Sequence, residues 1–304
     1  MKTLTSISPS RLVITGRTGF VGNAFCSRYG GVSLADETGR VDLKDAARVQ
    51  SAVASLQPDA VLHLAAQSSV ASSFADPEGT FATNFQGTSN LLQALKSIQF
   101  GGVFVYVSSA EVYGSVDASD LPLKEFHSLK PLSPYAASKV ATEDMCLQYS
   151  ETESFRIVIA RPFNQIGEGQ DERFAIANFA RQIIEMKHGR KEPVMITGDL
   201  SITRDFTDVL DTIDAYKDIL ERGRNGEIYN ICSGRERSLK SLVDGMLQIA
   251  GVRASFQVDP VRLRASEQMR IVGDPSKIYE QLGWKPKRNI EETLKDILSG
   301  VERN

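Results

Sequence analysis

Apolar residues recur along this chain in two rhythms. Short unbroken runs at Leu12–Ile14, Ala60–Ala66, Val103–Val107, the stretch RIVIARP ending at Arg161 and Pro162, and Glu227–Cys232 suit buried parallel strands. Between them, apolar positions three and four residues apart predict helices. They begin at Phe20, run up to Leu56, and cover Asn84, Phe85 and Gly87–Leu95, Phe174–Met186, Asp208–Leu220, Leu239–Ala250 and a segment ending at Leu282. Val32–Ala35 is expected as a second short strand, and Val194–Ile196 as another beyond the main alternation. Strand and helix alternating in this way predict an α/β protein, a doubly wound parallel sheet with both faces covered. No internal repeat or low-complexity linker interrupts the pattern.

The first strand runs straight into Gly16, Gly19 and Gly22, and the helical rhythm starts at Phe20 and Val21. A strand, a glycine turn and a helix start suit a dinucleotide: its pyrophosphate must approach backbone N–H groups that a Cβ would obstruct, and the helix N-terminus favours its charge. The cradle is therefore expected to run from Gly16 through Arg17, Thr18, Gly19, Phe20 and Val21 to Gly22. Asp36 suits the free ribose hydroxyls of NAD, whereas Arg17 suits a 2′-phosphate, so NADH and NADPH both stay open. His63 is expected as a core histidine.

Ser108 and Ser109 follow the strand Val103–Val107, and ligands of open parallel sheets bind beyond strand C-termini. Tyr135 and Lys139, four residues apart, share one helical face. An ammonium near a phenol favours the phenolate, and such a Tyr can exchange a proton with a substrate oxygen held by a Ser hydroxyl.

Charge and composition narrow the partners. The 304 residues carry 35 Lys plus Arg against 38 Asp plus Glu, so no basic excess points to nucleic acid. Three cysteines and three histidines, with no close cluster, predict no metal site. The opening residues lack a signal-peptide core and no run reaches membrane-spanning length, so a cytoplasmic protein without a membrane partner is expected.

The glycine turn, Ser109, and Tyr135 with Lys139 closely resemble the extended short-chain dehydrogenase/reductase family, whose members act largely on nucleotide sugars; the resemblance spans essentially the whole chain. It implies a Rossmann-type cofactor domain, residues 1–165 plus about 200–232, and a smaller interleaved C-terminal substrate domain, about 166–199 plus 233–304. It also implies that Asp42 and Leu43 lie around adenine, that Leu64, Ala65, Ala66, Gln67 and Arg161 line the cofactor, and that Lys139 holds the nicotinamide ribose. Ser109, Tyr135 and Lys139 are the implied catalytic residues. Ser109, Glu111, Tyr135, Asn164, Val194, Arg204, Arg264 and Glu267 are the implied substrate contacts. The arginines suit a diphosphate because guanidinium offers several fixed donors.

The stretches EVYG, ARPFN with IGEGQ, TRDFTDV, YNICSG and DPVRLRASEQMRIVGD are similar to a subgroup that uses NADPH or NADH on a GDP-linked 4-keto-6-deoxy sugar, reducing its C4 ketone. A 4,6-dehydratase is the rival, but dehydratases follow the catalytic hydroxyl residue with Asp or Ser and then Glu, and here Ala110 precedes Glu111. An epimerase and a catalytically silent nucleotide-sensing protein are further alternatives. A homodimer is implied through helices flanking the site, including the one bearing Tyr135.

Overall fold

The computed structural model describes residues 11–37, 39–263 and 268–303. Five strands, β1 (Leu12–Thr15), β2 (Ala60–His63), β3 (Val103–Val107), β4 (Arg156–Pro162) and β8 (Ile228–Ile231), form one parallel sheet in the order β1-β2-β3-β4-β8. Leu12–Thr15, Ala60–His63 and Val103–Val107 are buried throughout. That double burial is why they read as unbroken apolar runs.

One face of the sheet is covered by α1 (Phe20–Tyr29), α6 (Val209–Arg222) and α8 (Ser276–Leu282), with Phe25, Ile213, Tyr216 and Ile278 in its core. The other is covered by α2 (Ala46–Leu56), α3 (Gly87–Ser97) and α4 (Pro134–Thr152), with Val49, Val53, Leu91, Leu95 and Cys146. The sheet is thus doubly wound and Rossmann-type. Helix starts carry local signals: the side chains of Asp45, Ser133 and Asp208 accept N–H bonds from Arg48, Ala136 and Leu210, and Pro134 opens α4.

The expected strand Val32–Ala35 does not join this sheet. Val32 makes a single parallel bridge to Val13, and Ala35–Asp36 pairs instead with Gly39–Arg40 as a two-residue hairpin. The strand read as Ala60–Ala66 ends at His63, where the chain turns away along the strand C-termini.

After β4 the chain leaves the sheet to build a second, smaller C-terminal unit. β5 (Asn164–Ile166), β7 (Thr203–Asp208) and β9 (Glu236–Ser238) make a three-stranded sheet in the order β9-β7-β5, and β6 (Val194–Thr197) pairs with β10 (Ser255–Val258). Helices α5 (Ala175–Lys187), α7 (Leu239–Ala250) and α9 (Ile290–Arg303) enclose a separate core around Phe179, Ile183, Met195, Phe206, Met246 and Leu298. No helix among the described residues is long and apolar enough to cross a membrane.

Candidate active site

The glycine turn departs from the end of β1. Gly16 has φ +70, and a Cβ there would lie 2.8 Å from the Ala65 nitrogen, so both the backbone conformation and the close approach of the next strand's loop require glycine. At Gly22 a Cβ would stand 2.3 Å from the Gly16 carbonyl oxygen, so its absence lets α1 pack onto the turn. Gly19 precedes α1 with no side-chain cap, leaving the first-turn N–H groups for an external acceptor. Arg17, Thr18 and Gly19 are exposed, and the Arg40 guanidinium donates to the Thr18 hydroxyl at 3.0 Å. These features fit a dinucleotide pyrophosphate.

Behind the turn, His63 is buried between two hydroxyls, with Nδ1 2.7 Å from Thr15 Oγ1 and Nε2 2.8 Å from Thr88 Oγ1. Burial drives its pKa down to about 3, so it is a neutral spacer rather than a proton carrier. The Ala65 N–H donates to Thr15 Oγ1 at 3.1 Å, which fixes the half-buried segment Leu64, Ala65, Ala66 and Gln67 beyond the strand end. Asn84, on a π turn spanning Ala82–Gln86, ties that segment to α4. Its Oδ1 accepts the Gln67 N–H at 2.8 Å, and its Nδ2 donates to the Gln67 carbonyl at 3.2 Å and the Ser138 hydroxyl at 2.9 Å. Asn84 is a positioning residue that the sequence reading placed only within a helix; a buried Asn on a π turn beside a strand end is its signal.

Ser109 follows β3 and caps a short turn at Ala110–Tyr113, its hydroxyl accepting the Glu111 N–H at 3.2 Å. The same hydroxyl neighbours the Tyr135 phenol and favours its ionised form. Lys139 stands one turn along α4 from Tyr135, only 3% exposed, and donates to the Val107 carbonyl at 2.7 Å with its ammonium 4.9 Å from the Tyr106 ring centroid. Ser109, Tyr135 and Lys139 thus converge at the end of β3. The Ser108 hydroxyl beside them is buried without a protein partner.

The electrostatics differ from the simple expectation. Burial pushes the Tyr135 phenol up to about 12, the neighbouring Ser109 hydroxyl partly offsets this, and the Glu111 charge adds to the rise. Lys139, whose ammonium bonds the Val107 carbonyl and stands 4.9 Å from the Tyr106 and 5.9 Å from the Tyr135 ring centroid, does not reverse this. Burial lowers Lys139 itself to about 8, against the opposing pull of Glu143.

The remaining sequence candidates divide. Leu43 is buried in the core while Asp42 is exposed and turned to Lys44. Asp36 receives two bonds from Arg48, at 2.8 and 2.9 Å. Arg161, read as a cofactor contact, directs its guanidinium elsewhere. It makes bonds of 3.0 and 2.6 Å to the two Glu143 carboxylate oxygens, and Nη1 meets the Tyr113 hydroxyl and the Glu125 carbonyl at 3.1 and 3.0 Å. Its side chain is buried among these partners. Asn164 is exposed at the start of β5, Val194 half-buried at the start of β6, and Arg204 buried on β7, donating to the Thr203 carbonyl at 2.8 Å. Arg264 and Glu267 lie outside the described residues.

A doubly wound parallel sheet with a glycine turn on β1 and Ser109, Tyr135 and Lys139 at the end of β3 defines an NAD(P)-dependent oxidoreductase of the sugar-modifying kind. The family model described as GDP-mannose 4,6 dehydratase matches residues 36–297, and the chain belongs to this family of the NAD-dependent epimerase/dehydratase superfamily. It is 42% identical over 296 residues to a GDP-6-deoxy-D-mannose reductase of Pseudomonas aeruginosa, covering 96% of this chain and 97% of that protein. A dTDP-glucose 4,6-dehydratase of Streptomyces antibioticus is 34% identical, with 84% and 73% covered. Among solved structures, RMD from Pseudomonas aeruginosa complexed with NADPH superposes with a TM-score of 0.90 at 39% identity, covering 96% of this chain and 99% of that one. A Thermus thermophilus UDP-glucose 4-epimerase complexed with NAD gives 0.83 at 27% identity, covering 96% and 98%.

Proposed function

We propose that the protein reduces the C4 ketone of GDP-4-dehydro-6-deoxy-D-mannose to give GDP-6-deoxy-D-mannose (GDP-D-rhamnose), with Ser109, Tyr135 and Lys139 as its catalytic residues. The observation that carries this reading is the convergence of Ser109, Tyr135 and Lys139 at the end of β3, with the methyl of Ala110 where a dehydratase needs a polar group. The name of the Pseudomonas aeruginosa relative supports the same substrate.

Bound NADH or NADPH, held by the turn from Gly16 to Gly22, supplies the hydride that C4 gains. Ser109 and Tyr135 hold the carbonyl oxygen between two hydroxyls, which stabilises the negative charge growing on it. Tyr135 gives that oxygen its proton, and Lys139, charged below about pH 8, stabilises the phenolate left behind. We assign cofactor binding to residues 1–165 with about 200–232, and the nucleotide sugar to the remainder. The five-stranded sheet with α6 and β8 supports the first part of this division, while β7 (Thr203–Asp208) pairs within the three-stranded sheet and so lies with the substrate unit, and α8 packs on the five-stranded sheet.

The test supplies the keto sugar with each reduced cofactor and follows the sugar product by NMR. One cofactor should be oxidised per ketone reduced; isomerisation without net consumption would indicate an epimerase instead. Given GDP-D-mannose and catalytic oxidised cofactor, the protein should accumulate little 4-keto-6-deoxy product, because dehydration needs an acid and a base near C5 and C6 that Ala110 does not provide. Efficient accumulation would overturn the reductase assignment in favour of Glu111 acting as a dehydratase group.

The substrate diphosphate is assigned to Arg204, whose β7 position places a planar donor set on the substrate unit. Arg204→Ala is expected to raise KM for the nucleotide sugar about tenfold or more while cofactor affinity changes little, because contacts remote from C4 act mainly in binding. Arg204→Lys keeps charge without the planar fork and should recover only part. Calorimetry with GDP checks this, and unchanged GDP affinity in folded Arg204→Ala would remove Arg204 from the site.

A further inference from the structure

A cavity of about 620 Å³ opens between the start of α6, the loop after β8 and the segment leading into α9. None of Ser109, Tyr135, Lys139 or the glycine turn lines it. Five cationic side chains do: Arg235, Arg237, Lys285, Lys287 and Arg288. Two acids, Asp208 and Asp211, share the wall, and both are already engaged. Asp208 holds Arg288 at 2.9 Å and accepts the Thr293 hydroxyl at 2.6 Å, and Asp211 accepts the backbone N–H groups of Lys287 and Arg288 at 3.0 and 2.9 Å. Among the described residues only Arg288 of the five cations forms an ion pair with an acid.

Arg237 shows the consequence most clearly. Its Nη1 is buried and has no hydrogen-bond partner, and burial and the neighbouring Arg235 charge lower its pKa against the smaller opposing pull of Asp205. A buried guanidinium nitrogen without an acceptor is costly, and a second cation beside it raises the cost. Both terms reverse when an anion with several oxygens sits between the two arginines. The cavity is also bounded by the half-exposed Tyr279 ring and by Trp284, whose indole N–H is fixed to the Asp211 carbonyl at 3.0 Å.

We propose that this cavity is a second anion site that binds a diphosphate group, either as free pyrophosphate or as the diphosphate of a nucleotide, outside the catalytic crevice. Two adjacent phosphoryl groups span the Arg235–Arg237 pair and the Lys285–Lys287 side, and the volume admits a nucleoside beside them. The proposal does not depend on the identity of the sugar reduced.

Trp284 is the single tryptophan of the chain, so its emission reports this cavity directly. The experiment titrates the full-length protein with inorganic pyrophosphate and, separately, with adenosine diphosphate, against sodium chloride at matched ionic strength. A saturable change in Trp284 emission with pyrophosphate is expected, weakened tenfold or more in Arg235→Ala/Arg237→Ala and kept within a few-fold in Arg235→Lys/Arg237→Lys. Thermal melts confirm that each variant folds. Tighter binding of adenosine diphosphate than of pyrophosphate identifies a nucleotide as the occupant; equal or weaker binding identifies the free diphosphate. Arg204→Ala should leave the titration unchanged. A response matched by sodium chloride, one retained in folded Arg235→Ala/Arg237→Ala, or one lost only in Arg204→Ala overturns the proposal. The last outcome would place the anion in the crevice of the proposed reduction instead.

Discussion

Replacement of Tyr135 by Phe is expected to lower turnover by roughly two to four orders of magnitude, the usual range for a positioned proton donor. The hydroxyl is all that is lost, and the ring stays in its buried place at 7% exposure, so folding and cofactor affinity should change little. A steady-state rate beside a cofactor titration checks this, and near-wild-type turnover would remove Tyr135 from its role. The pH profile provides a second reading. With the phenol pushed up to about 12, Tyr135 is protonated throughout the neutral range and is ready to donate. Lys139, lowered to about 8, is the group that titrates first. Its positive charge stabilises the phenolate, so turnover should hold below that pH and fall as pH rises through it. Stability runs the other way. A lysine whose folded pKa lies below its ordinary 10.5 disfavours folding where both states are charged, and that penalty is relieved between about 8 and 10.5.

Much of this arrangement was legible in the chain because it rests on local spacing. The buried strands are continuous apolar runs, Gly16 and Gly22 sit where a Cβ would collide with backbone, and four residues on a helix bring Tyr135 and Lys139 to one face. What was not legible depends on distant partners. Thr203–Asp208 received no strand assignment because its residues are polar at nearly every position. They are buried all the same, since Asp205 accepts N–H bonds from Ser233, Gly234 and Gly273 at 2.7, 2.9 and 3.3 Å. Val32–Ala35 carried a strand pattern, yet the outer edge of β1 accepts only Val32. No element is predicted beyond Leu282, yet the helix Ile290–Arg303 buries one face through Thr293, Leu294, Ile297 and Leu298. Spacing also said that Lys139 would lower the Tyr135 phenol; burial depends on the packed surroundings, and it decides the opposite direction.

Arg161 and Glu143 are the clearest case of a pairing hidden from local reading, and their variants carry the largest expected effect on stability. Glu143 lies four residues beyond Lys139 on α4, and Arg161 reaches it from β4, with side chains only 2% and 3% exposed. Glu143→Gln keeps the shape but removes the charge, leaving the Arg161 guanidinium buried with only Tyr113 and the Glu125 carbonyl as acceptors beside the amide oxygen. Breaking a buried pair from one side typically costs about 3–5 kcal/mol, so Tm should fall by on the order of ten degrees. The same carboxylate opposes the burial that lowers Lys139, so its loss should also move the alkaline limb of turnover to lower pH. Replacing both partners by apolar residues, Glu143→Leu with Arg161→Met, removes both charges together and should recover most of the lost stability. It should not recover the alkaline limb, because the negative charge near Lys139 is still missing. Thermal melts and pH–rate profiles of the two variants separate these contributions. A Glu143→Gln protein with unchanged Tm and an unmoved limb would show that the pair neither holds the fold under the active site nor sets the charge of Lys139.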